Sequence, residues 1–175
     1  MAGGWAVMGT ASIAGSDCFS AVRRVREELR SAYVQAIDAE HVLNRDHLLM
    51  CLNNVALAHK QGYNKMNRLD SELLLVLAGI NNFEDAVRSL APKEGGQAVL
   101  LFFSDRREVA LQALQAFERH TDARVQELSF INDRPRLSRV AELYGIQWEE
   151  LGCPSEQELT DALAERCAVF YSKYR

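Results

Sequence analysis

The chain lacks the marks by which a short sequence announces a catalyst or a metal centre. Its four cysteines, Cys18, Cys51, Cys153 and Cys167, include no C-x-x-C pair, and their separations of 33, 102 and 14 residues match no zinc spacing. They read as buried thiols of a reducing compartment, with no metal and no cofactor. The longest apolar runs, Leu73–Ala78 and Ala98–Phe103, fall far short of the ~20 residues that a membrane span requires. The first residues show no charged segment followed by an apolar stretch and a cleavage site, so no signal peptide is expected. The expected location is the cytoplasm, with the nucleus open to a eukaryotic chain.

Catalytic signatures are equally scarce. His41 and His47 are six residues apart and do not form an H-E-x-x-H pair. His47 falls in the first turn of an expected helix, next to Asp46. A local hydrogen bond is the simpler reading there, because a general base also needs a partner and a pocket. Gly9 and Gly15 bracket a small-residue stretch without the lysine of a phosphate loop, and no G-x-S-x-G elbow occurs. The acids Glu149, Glu150, Glu156 and Glu158 suit solvated helix starts. The chain therefore reads as a non-enzyme.

What is present is ordinary globular material: 175 residues, 48% hydrophobic and 25% charged, with a net charge of −4. That length fits a single domain covering residues 1–175. Short strands are expected at Trp5–Ile13, Val34–Ile37 and Val125–Leu128. The unbroken apolar run Ala98–Phe103 reads as a central strand covered on both faces. Helices are expected from Ser16 or Asp17, from Asn44 to Gly62, from a Ser71 cap to Gly79, and over Phe83–Leu90. Further helices should span Arg106–His120 and Leu137–Tyr144, and a last one should follow the Ser155–Glu158 capping box. The implied class is α/β (α+β), with a small central mixed sheet and helices packed on both faces.

One absence is local. Between Asp46 and Asp70 lie 23 residues without an acid, and they carry Lys60, Lys65 and Arg68 beside His59. Outside those three cations the chain has 17 basic against 24 acidic residues, so positive charge is concentrated here. Tyr63, Asn64, Met66 and Asn67 are interleaved with it. Cations attract phosphates, an aromatic offers a stacking platform and amides read base edges, which together suit a short single strand. A helix C-terminus also attracts Lys and His, and composition alone leaves both readings open.

The order Ile37-Asp38-Ala39, His47-Leu48, Asn54-Val55-Ala56-Leu57-Ala58-His59 resembles the small kinase-binding, tRNA-recruiting subunit family of the KEOPS (EKC) complex, the PRPK-binding-protein family. Lys65-Met66-Asn67-Arg68-Leu69-Asp70-Ser71-Glu72 and Asn81-Asn82-Phe83-Glu84-Asp85-Ala86 continue the resemblance, which runs from about Trp5 to Ser172 and is strongest over Ile37–Leu90. The resemblance implies an adaptor without catalysis. Such an adaptor binds the complex's atypical kinase/ATPase directly and the remaining subunits through it. It recruits tRNA by its 3′ CCA end for threonylcarbamoylation of adenosine 37. Carried across, Lys60, Lys65, Arg68, Asn81 and Asn82 are the expected tRNA contacts, with the two asparagines beside the cations. Archaeal members carry an arginine in the turn where this chain has Ile80-Asn81-Asn82, so these amides are expected to read a base rather than grip a phosphate. For the kinase, Val169, Phe170, Tyr171 and Tyr174 in the last helix are the expected anchors, since aromatics are enriched at interface hot spots. A pure kinase-binding adaptor that never touches RNA is the alternative.

Overall fold

The computed structural model describes residues 4–13, 15–147, 152 and 155–173. Glu149, Glu150, Cys153 and Tyr174, to which the sequence assigns roles, lie outside them. The chain falls into two compact units: one comprises the residues up to Ala39 together with Ala91–Ser129, the other Glu40–Leu90 and the residues from Phe130 onward.

The first unit holds the sheet. Strand β1 (Trp5–Ser12), helix α1 (Gly15–Glu28) and strand β2 (Tyr33–Asp38) come first; β3 (Gln97–Ser104), α5 (Arg107–His120) and the two-residue β4 (Gln126–Glu127) follow. The strand order is β2-β3-β1-β4, and every pairing is antiparallel. This corrects the mixed sheet expected from intermixed strands and helices. Helix α1 joins two strands that run the same way, but β3 inserts between them. In the same manner α5 joins β3 to β4 across β1. Two such interlocked split β-α-β units make the βαββαβ order of a ferredoxin-like sheet.

Alternation along the strands sorts the side chains. Ala98, Leu100 and Phe102 of β3, Val34 and Ala36 of β2 and Ala11 of β1 form one face. They pack against Cys18, Val22 and Val25 of α1 and Val109, Ala113 and Phe117 of α5. Val99, Leu101 and Phe103, on the other face, are equally buried, as a central strand requires. Strand β4 is shorter than expected for a definite reason. The Val125 side chain enters the core while its N–H goes to Glu118 Oε1 at 3.0 Å rather than to a strand. Gly9 is needed beside it: a Cβ there would collide with the Gln126 carbonyl oxygen and the Val125 side chain.

The second unit is helical: α2 (Arg45–Gln61), α3 (Leu69–Ala78), α4 (Phe83–Leu90), α6 (Arg134–Leu143) and α7 (Glu156–Lys173). Leu43, Leu137, Val140, Ala141, Tyr144, Leu159 and Leu163 form a core cluster within it. The expected caps of α2 and α7 are present. Asn44 accepts the His47 N–H at 2.9 Å, and Ser155 and Glu158 exchange the bonds of a capping box. Asn82 accepts the Asp85 N–H at the start of α4. Ser71 does not cap α3: the helix begins two residues earlier, and Arg68 is its N-terminal flanking residue, with no side-chain cap bond.

Candidate partner-binding surface

Helix α2 ends at Gly62, whose left-handed backbone (φ 74°) lets its N–H return to the Ala58 carbonyl. Lys60 sits exposed in the last turn, and the chain then crosses residues 62–68 to α3. The crossing is held by two acids from the first turn of α3, Asp70 and Glu72, both fully buried. The Glu72 carboxylate accepts the Lys65 N–H at 3.0 and 3.1 Å and also the Met66 N–H. Asp70 receives Arg68 in a two-pronged bond, Nε to Oδ1 at 3.0 Å and Nη2 to Oδ2 at 2.9 Å. A helix N-terminus favours acids, and these acids turn that preference into an anchor for the loop.

The acid-free stretch thus continues into space. The first two acids after it point inward, so the loop presents no carboxylate of its own. Lys60 and Lys65 are exposed. Arg68 is different, because its guanidinium is engaged by a buried carboxylate and its charge is largely matched. Asn81 and Asn82 are exposed at the opposite end of α3 from the cations. A ten-residue helix separates the two groups by roughly 15 Å at 1.5 Å per residue. Lys60 closes α2 and Lys65 and Arg68 lie on the loop that follows it, whereas the asparagines stand beyond α3, where Asn82 also serves as the α4 cap.

In α7, Val169 faces solvent (54% exposed), whereas Phe170 and Tyr171 are buried. The two aromatic rings meet edge-on at 5.1 Å, and Tyr171 also meets Tyr63 of the loop edge-on at 5.1 Å. Burial first, then the nearby Glu72 carboxylate, pushes the Tyr171 hydroxyl far above its ordinary value. Tyr171 therefore stays neutral and ties the loop to α7. Of the described candidates in this helix, only Val169 is presented outward. The spacing Leu163, Cys167, Phe170, Tyr171 already traced an inward stripe in the sequence.

His47 is fully buried, with Nδ1 accepting the Leu43 N–H at 3.4 Å and Nε2 without a hydrogen-bond partner. A ring nitrogen of His47 and the sulfurs of Cys51 and Cys167 all lie within 4.8 Å of one another. The two sulfurs are 2.7 Å apart. The Cys51 hydrogen bond lowers the Cys167 thiol to about 6, helped by His47 and Arg166 and opposed by burial. Burial raises Cys51 well above its ordinary value. Sequence reasoning missed this cluster, since 116 residues separate the two cysteines and no spacing rule joins them.

The described residues thus form an α+β protein that presents exposed cations on the loop between α2 and α3. No helix is long and apolar enough to cross a membrane among the described residues. The family model described as kinase binding protein CGI-121 matches residues 20–170. The chain belongs to that family, and its role as a kinase-binding adaptor follows at that level. No curated protein matches the chain.

Proposed function

We propose that this protein is the non-catalytic subunit that binds the atypical kinase/ATPase of a KEOPS complex and recruits tRNA through its single-stranded 3′ end for threonylcarbamoylation of adenosine 37. Family membership supports the kinase half of this reading. The observation that carries the RNA half is the loop between α2 and α3, where Lys60 and Lys65 are exposed and the adjoining acids Asp70 and Glu72 are turned inward. Exposed cations on a loop that contains no acid of its own suit a phosphate backbone, and charge of this kind gives salt-dependent binding.

The test compares intact tRNA with tRNA lacking its CCA end, against wild type and a Lys60→Glu/Lys65→Glu double variant. Intact tRNA should bind more tightly to wild type. The variant should lose affinity and show a salt slope shallower by about 1.4, at about 0.7 per lost single-strand contact. Equal binding of both tRNAs by wild type would sink the tail-recognition reading.

A pure kinase adaptor is the second reading, favoured by the neutralisation of Arg68 through Asp70. It predicts that the double variant still supports full tRNA modification in the reconstituted complex, while Val169→Glu weakens kinase capture.

A further inference from the structure

We propose that Cys51 and Cys167 are a thiol-oxidation site, closing reversibly into a disulfide that staples α2 to α7. The geometry separates this reading from a metal centre. Two thiolates on one tetrahedral zinc, each about 2.3 Å from the ion, stand about 3.8 Å apart. The two sulfurs here are 2.7 Å apart, nearer to bonding distance than to shared coordination. The histidine agrees. Its Nδ1 accepts the Leu43 N–H, which assigns the ring proton to Nε2 and leaves that nitrogen no lone pair for a metal. A metal on Nε2 would force a proton onto Nδ1, against the Leu43 N–H.

The two thiols are unlike, as a reacting pair requires. Cys167 lies against Cys51 with His47 and Arg166 close by, its thiol is lowered, and it is the better nucleophile. Cys51 keeps its proton until the second step. A cavity of about 10 Å³ borders Cys167 and is lined by His47, Gly79, Tyr144 and Arg166 among others. That space is at the lower limit for one water molecule.

The oxidant is a hydroperoxide. The Cys167 sulfur attacks one oxygen, the O–O bond breaks, and the departing hydroxide takes a proton to leave as water, with Cys167 as sulfenic acid. The Cys51 sulfur then attacks the Cys167 sulfur. The S–S bond forms, the S–O bond breaks, and the second hydroxide leaves as water with the proton of Cys51. Two thiols are oxidised and one peroxide is reduced to two waters.

The experiment treats the full-length reduced protein with hydrogen peroxide, blocks remaining thiols in denaturant and maps the peptides. The count should fall from four thiols to two, with one linked peptide pair joining Cys51 to Cys167, restored by dithiothreitol. Cys18→Ser and Cys153→Ser should leave that link intact, and Cys167→Ser should abolish it. The wild-type map stands even where a cysteine variant misfolds. The proposal is overturned if all four thiols remain alkylatable, or if the link involves Cys18 or Cys153. It is also overturned if the isolated protein carries one equivalent of zinc that shields Cys51 and Cys167 from peroxide.

Discussion

Arg68 grips Asp70 through two hydrogen bonds, 3.0 and 2.9 Å long, with only Leu69 between them in the chain. The carboxylate is wholly buried while the guanidinium side is 39% exposed. The pair is therefore asymmetric: removing the arginine strands a buried charge, whereas removing the carboxylate leaves a cation that can turn to water. Breaking a buried pair costs ~3–5 kcal/mol, and the exposure of Arg68 reduces that. Urea unfolding should show Arg68→Ala losing about 2–3 kcal/mol and Asp70→Asn only about 1 kcal/mol. An arginine whose sole task was RNA contact would leave the midpoint unmoved.

Glu72 holds the loop by its backbone rather than by its charges. Glu72→Gln weakens the bonds from the Lys65 and Met66 N–H groups, since hydrogen bonds to a charged acceptor are worth about 1.5–3 kcal/mol. Amide hydrogen exchange should accelerate at residues 65 and 66 while the β3 amides keep their protection. Unchanged exchange at both positions would mean that the loop is held by something else.

Asn44 does more than cap α2. Its side-chain oxygen takes the His47 N–H, and its nitrogen donates to Glu156 Oε1 at 2.8 Å and Thr160 Oγ1 at 2.9 Å. Asn44→Ala should cost about 2–3 kcal/mol, combining a lost cap of ~1 kcal/mol with two bonds of ~1 kcal/mol each. Asn44→Asp keeps the cap but sets a carboxylate against Glu156, so its deficit should shrink in high salt. Melting curves at two salt concentrations distinguish the two variants.

At the start of α7, the Ser155 backbone N–H and then its hydroxyl hold the Glu158 carboxyl below its ordinary value of 4.5. A depressed folded-state value stabilises the fold above the unfolded-state value, and that contribution is lost as pH falls through the folded one. The stability gap between wild type and Glu158→Gln should be full at neutral pH and close as the solution is acidified below about 4. A gap that persists unchanged at pH 2 would show that the carboxylate charge plays no part in the cap.

Much of this was legible because it is local. Asn44, Gly62, Gly79, Asn82 and the Ser155–Glu158 box mark helix ends through bonds spanning three or four residues, and six apolar residues in a row placed the central strand. The apparent Ser71 cap misled for an equally local reason: the true start of α3 is fixed by Arg68, Asp70 and Glu72 acting on a loop, not by a cap side chain. The sheet's pairing was not legible, since β3 enters between β1 and β2 only after an excursion through Glu40–Leu90.

The sequence by itself determined the capped helix ends at Asn44, Gly62, Gly79, Asn82 and Ser155, the acid-free cation-bearing segment and the family pattern around it, because each rests on residue order and short-range chemistry. Only the tertiary structure decided which side those residues face. It turned Asp70 and Glu72 inward and left Lys60 and Lys65 outside. It committed Arg68 to an ion pair, set Asn81 and Asn82 at the far end of α3, and buried Phe170 and Tyr171 while exposing Val169. It also brought Cys51 and Cys167 into contact across 116 residues. Contacts of that range are set by how helices pack against one another; hydrophobic periodicity marks the buried face of a helix but not the partner it meets.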